Sequence, residues 1–116
     1  MTLNPTNTNV TTIGAGTLLA AALIGGFITR SGPVGNVNDT LDSTANILAA
    51  YGAGPWVCEY YNTTASTLTL VAGDAKTTLS GVSAGILTHQ VATLLFTPNA
   101  AAGTLTVQVF SKSTGV

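Results

Sequence analysis

Charge is what this sequence lacks. Only 6% of its 116 residues are charged, against about 25% in an ordinary soluble domain. They are Arg30, Asp39, Asp42, Glu59, Asp74, Lys76 and Lys112. Three basic residues and a net charge of −1 cannot neutralise a run of phosphates, which excludes nucleic acid as a partner. Cysteine is nearly absent too. Cys58 stands alone, so no internal disulfide can form and a disulfide scaffold is excluded. Long apolar runs are missing. The most apolar stretch, 18–28, is broken by Gly25 and Gly26, whereas a bilayer-spanning helix takes about 20 apolar residues. Residues 1–17 carry no charge, so no basic region opens a secretory signal, and the expectation is synthesis in the cytoplasm without membrane association.

The chemistry-bearing residues are equally sparse. His89 is the only histidine, and one imidazole cannot build a zinc site that needs three or four protein ligands. Cys58 alternates with Trp56 and Tyr60 along an expected strand, which suits a packed thiol rather than an activated nucleophile. Asp39 and Asp42, three apart, read as helix-capping carboxylates, and Glu59 and Asp74 as partners for Lys76 or Arg30. Gly14-Ala15-Gly16 lacks the further glycine and downstream acid of a dinucleotide loop. Gly52-Ala53-Gly54-Pro55 lacks the Lys-Ser/Thr pair of a phosphate loop. The reading is no enzyme, no cofactor and no metal.

What is present is threonine, alanine and glycine, 21, 16 and 13 residues respectively, arranged in short alternating segments. Residues 1–17 (MTLNPTNTNVTTIGAGT) are polar and uncharged, with Leu3, Val10 and Ile13 as isolated apolar points. They read either as a frayed terminus or as an extended arm that pairs with another subunit. Leu18 to Leu23 has helix propensity, Gly25-Gly26 ends it, and Phe27 to Arg30 reads as a short strand before the Ser31-Gly32-Pro33 turn. The clearest helix is expected over 39–51. Asn38 or Asp39 caps it, Leu41, Ala45 and Leu48 form its apolar stripe, and Gly52 closes it.

From Pro55 onward the pattern is β. Trp56 to Tyr61 places Trp56, Cys58 and Tyr60 on one face and Val57, Glu59 and Tyr61 on the other. Glu59 on that second face points to water or a partner. Asn62-Thr63-Thr64 is an expected turn, and 67–72 and 77–79 are expected strands. A long strand is expected within 86–97, followed by a loop at 98–103 and a strand at 104–110 with Leu105, Val107 and Val109 inward. The expected fold is mainly β, a small β-sandwich or β-barrel (18–116), with one short helix at about 39–51 and the extended arm at 1–17. Arg30 reads as a solvated strand end, or as a fork holding a carboxylate or backbone carbonyls at a subunit contact. With so few charges in the chain the second reading is taken. The expected interface residues are then Leu3, Val10, Ile13, Arg30 and Glu59.

Gly25-Gly26-Phe27-Ile28-Thr29-Arg30-Ser31-Gly32-Pro33, followed by Asn38-Asp39-Thr40-Leu41-Asp42-Ser43-Thr44-Ala45 and later by Asn62-Thr63-Thr64, Leu68 to Gly73 and Thr78 to Gly81, resembles small virion proteins of tailed bacteriophages. The resemblance spans residues 18–110. It implies a capsid decoration, or cement, protein. Such a protein sits on the outer face of the head as a homo-oligomer, trimer favoured and dimer possible, and bridges major capsid subunits. A trimeric tail-fibre or receptor-binding β module is the alternative.

Overall fold

The computed structural model describes residues 6–81 and 85–114. The mainly-β expectation holds: two sheets share one core. The first half of the chain winds between them in three stacked passes. β1 (Thr6–Val10) lies in the first sheet and β2 (Thr17–Leu18) in the second. Helix α1 (Ala20–Gly25) returns the chain to β3 (Gly26–Arg30), which pairs parallel with β1, and β4 (Val37–Leu41) pairs parallel with β2. Helix α2 (Thr44–Ala50) then leads to β5 (Trp56–Asn62), parallel to β3, and β6 (Leu68–Val71), parallel to β4. Thr6 faces Gly26 while Phe27 faces Glu59, so successive passes differ by about a dozen residues in length and leave no fixed-period signal in the sequence.

The second half closes one end of this stack. β7 (Thr77–Gly81) pairs with β10 (Thr104–Thr114), β8 (Gly85–Ile86) lies antiparallel to β6, and β9 (Gln90–Asn99) joins β5 to β10 in antiparallel register. The orders are β1-β3-β5-β9-β10-β7 and β2-β4-β6-β8. Alternation decides the inward face of the large sheet: Trp56, Cys58, Tyr60, Ala92, Leu94, Phe96, Leu105, Val107 and Val109 are all buried. Trp56 stacks on Phe96 with ring centroids 4.9 Å apart and meets Tyr51 edge-on at 5.5 Å. Its indole N–H donates to the Leu23 carbonyl, 3.3 Å away, which fastens α1 over the sheet.

Three sequence expectations are corrected. Helix α2 starts at Thr44, not 39, and its cap is Ser43, whose hydroxyl accepts from the Asn46 N–H; Asp39 instead lies inside β4. A second helix, α1, precedes it, closed by Gly26 in the left-handed region at φ 93°. The long strand expected within 86–97 is present as β9 with Ala92, Leu94 and Phe96 inward, but it starts at Gln90. Ile86 belongs to the small sheet and Gln90 to the large one, and the chain crosses between them through His89 at φ 60°. The arm is corrected as well. Residues 6–10 are an edge strand of the chain's own sheet, 17–18 lie in the small sheet, and residues 1–5 fall outside the described residues.

Candidate functional site

At the end of each strand of the first half, the chain leaves the large sheet and turns a corner toward the small one. Val10, Arg30 and Asn62 occupy the same register position in the three passes, and the last two are wholly buried. Asn62 ties its own corner: its side-chain oxygen accepts from the Thr64 N–H and hydroxyl, and its amide donates to the Ser66 and Ile86 carbonyls at 2.8 and 2.9 Å. Arg30 ties two corners at once. Its Nε and Nη2 donate to Asp39 at 2.7 and 3.0 Å. Nη1 donates to the Thr12 and Ser31 carbonyls and Nη2 to the Gly14 carbonyl, each at 2.7 Å. A guanidinium has five N–H donors, and these contacts occupy all of them.

Asp39 is satisfied to the same degree. Besides Arg30, it accepts from the Gly16 N–H at 3.0 Å and from the Tyr60 hydroxyl at 2.5 Å. Burial, together with the Asp39 hydrogen bond and charge, pushes the Tyr60 phenol well above its ordinary range, so it stays a donor. Close approach also fixes two glycines. A Cβ on Gly16 would come within 3.1 Å of Arg30 Nη2. On Gly32, at φ 107°, it would meet the Thr11 carbonyl oxygen at 2.4 Å.

Arg30 is therefore corrected as an interface residue. The fork grips both a carboxylate and backbone carbonyls, as its chemistry suggests, but entirely within one chain and with no exposure. Among the other expected interface residues, Leu3 lies outside the described residues, Val10 is half-buried against the core, and Ile13 is 71% exposed on the first corner. Glu59 is half-buried on the outward face of the large sheet, where both its oxygens accept from the Thr93 hydroxyl at 3.0 Å.

Glu59 stands between Thr93 and Phe27 on this face. Cross-strand register sets Val57 opposite Leu95, Tyr61 opposite Val91 and Glu59 opposite Phe27, all on the face turned away from the core. The register of β9 with β10 shifts between Val109 and Ser111, and the unpaired Phe110 at this bulge is 61% exposed. The face was half-legible in the sequence: the strand from Trp56 to Tyr61 is apolar on both sides but for Glu59. Phe110 follows the same alternation, outward after the inward Leu105, Val107 and Val109, and the bulge leaves it without a cross-strand partner in this ladder.

The candidate chemical groups do not converge. Cys58 is buried in mid-strand opposite Leu94; desolvation first, and the Glu59 charge second, push its thiol up to about 12. His89 is exposed at the crossing before β9, its N–H donating to the Asn62 carbonyl at 2.8 Å. Asp74 binds Thr44 at the start of α2 through the Thr44 N–H and hydroxyl, at 3.0 and 2.6 Å. Among the described residues no group of three His, Cys, Asp or Glu side chains is placed to hold a metal ion, and no helix is long and apolar enough to cross a membrane. No family model matches the chain, and comparison with curated proteins and with solved structures returns no match either.

Proposed function

We propose that this chain is a structural virion protein that decorates the outer face of a tailed-phage head as a homo-oligomer and bridges major capsid subunits. It is made in the bacterial cytoplasm and acts without catalysis, cofactor or nucleic acid. The observation that carries the reading is the outward face of the large sheet. Phe27, Val57, Tyr61, Val91, Leu95 and Phe110 stand on this face among Thr29, Thr93, Thr97, Thr106 and Gln108, with Glu59 as its carboxylate and with Val57 and Phe110 the most exposed of the apolar six; this is more apolar surface than a sheet face in free contact with water needs. The resemblance of residues 18–110 to small virion proteins supports the same role.

Mechanically, the polar corners make the body rigid, and the apolar face covers a matching surface on the shell. Each of those side chains contributes on the order of 1 kcal/mol when covered. Repetition over many capsid sites turns modest single contacts into firm retention. The decisive experiment is the copy number in purified particles, by quantitative mass spectrometry against the major capsid protein, with Leu95→Lys and Phe110→Lys alongside. A simple ratio to the capsid subunit is expected, with retention of both variants falling by about tenfold or more and their melting unchanged. A handful of copies, or full retention of both variants, overturns the proposal.

A further inference from the structure

The two ends of the stacked passes are finished differently. At one end β8 and β9 lay antiparallel strands over β6 and β5. Beyond β9, the large sheet ends at β7, with Asp74 and Lys76 immediately before it. β7 itself, TTLSG, holds no charge, so only these flanking charges mark that edge against further pairing. At the other end, among the described residues, the first pass stands open, with β1 and β2 as the edges of their sheets. β2 is only two residues long. β1 has five, Thr6–Val10, with no charged side chain and no proline among them, and no side chain in residues 1–29 is charged.

The polarity of the β1 edge follows from one bond. The Val10 carbonyl accepts from the Ser31 N–H at 2.9 Å. In a parallel ladder the backbone groups of alternate residues point the same way, so those of Thr8 and Val10 face β3 and those of Asn7 and Asn9 face outward. The side chains of this edge are held in line: the Thr29 hydroxyl donates to Asn7 Oδ1 at 2.9 Å, and Asn7 Nδ2 donates to Asn9 Oδ1 at 3.2 Å. Beside the strand runs a shallow groove of about 320 Å³ lined by Thr8, Val10, Thr12, Thr17, Leu19 and Ala22, with Leu19 59% exposed.

We infer that β1 is a pairing edge for β1 of a second copy of this chain, forming a two-fold dimer with one continuous sheet across both molecules. An antiparallel pair centred on Thr8 sets Asn7 opposite Asn9 of the other copy and Asn9 opposite Asn7. Each such pair exchanges both of its backbone bonds. A second copy fits this edge because the contact is self-complementary under a two-fold axis, and an uncharged segment sets no repulsion between identical strands. The axis stands perpendicular to the sheet, so both outward faces look the same way. This pairing does not depend on the capsid reading. If that reading also holds, the dimer presents two docking faces to the shell.

The test is the mass of the purified full-length chain by sedimentation and light scattering over a concentration series, with amide hydrogen exchange at Asn7 and Asn9. A dimer is expected, with both amides exchanging more slowly as concentration rises. Asn9→Pro removes an outward N–H without touching the ladder to β3, and Asn9→Lys sets like charges across the axis. Each is expected to weaken dimerisation by about tenfold or more, with melting of the monomer unchanged. Should Asn9→Pro fail to fold, Asn9→Lys alone decides. A monomer throughout, a trimer, or variants that dimerise like the parent chain overturn the inference. Since no capsid is present, its failure leaves capsid binding to be decided by the copy number in particles, a monomer removing only the homo-oligomer from that proposal, and loss of capsid binding leaves the dimer standing.

Discussion

The three stacked passes and the β9–β10 hairpin meet in the large sheet, yet they are held together by opposite means. In the hairpin, Leu94, Phe96, Leu105, Val107 and Val109 point inward in strict alternation, and stability comes from apolar area removed from water. In the passes, corners between parallel strands leave backbone carbonyls inside the protein, where each needs a donor. Arg30 and Asn62 supply those donors from equivalent positions, and Asp39 balances the Arg30 charge. The difference is topological. A hairpin satisfies its backbone across the ladder, while a parallel crossover has corners that only side chains can satisfy. A protein with seven charged residues therefore places two of them where none would be expected from cost alone.

The strongest way to break the comparison is Asp39→Ala. It leaves Arg30 buried without its counter-charge, and it frees the Tyr60 hydroxyl and the Gly16 N–H. The expected loss is about 3–5 kcal/mol in chemical unfolding. A loss below about 1 kcal/mol would mean that the pair contributes no more than a surface ion pair.

The comparison sharpens when each half receives its mildest substitution. Arg30→Lys keeps the charge but offers three donors where five are used, so at least two acceptors lose a partner, at about 1–3 kcal/mol each. Leu94→Met keeps volume and apolarity in the hairpin, and its expected cost is under about 1.5 kcal/mol. Equal losses in the two variants would deny the distinction between corner and ladder.

The same distinction explains what could be read in advance. The strands at 56–61, 68–71 and 104–109 were legible because a hairpin or half-buried strand writes its inward face into every second residue. The helical start at Leu18 to Leu23 and its glycine stop were legible from propensity. Asp39 was not. Three residues before Asp42 and ahead of an apolar stripe, it has the local signature of a cap, and only the parallel pairing of β4 with β2 and β6 carries it into the core. The passes themselves were hidden because α1 and α2 connect them through linkers of unequal length. Arg30 announced its chemistry as a fork for carboxylate and carbonyls, but not that its partners lie in its own chain. The outward apolar face was visible in Val57 and Tyr61 and in Phe110, which alternation after Leu105, Val107 and Val109 turns outward; only the bulge beside it was hidden.

The smallest effect belongs to the charges that lie outside the buried pair. Asp74 is exposed, and hydrogen bonds from the Thr44 hydroxyl, the Thr44 N–H and the Lys76 N–H hold its carboxyl below the ordinary value of 3.8. Asp42 moves the same way: burial alone would raise it, but the bonds from the Asn46 side chain and the Ala20 and Ser43 N–H groups outweigh that and lower it. A carboxyl lowered in the folded state binds its proton less readily there than in the unfolded chain. The stability it contributes is thus complete above the unfolded value of 3.8 and is lost as pH falls through the lower folded value. Asp74→Asn removes one of these two lowered carboxyls, so the fall in stability below pH about 4 becomes shallower. Denaturant melts at a series of acidic pH values read this directly. Parallel acid limbs for the parent and the variant would show that the tie between Asp74 and the start of α2 is not coupled to folding, and the N-terminal half would then depend on its buried corners alone.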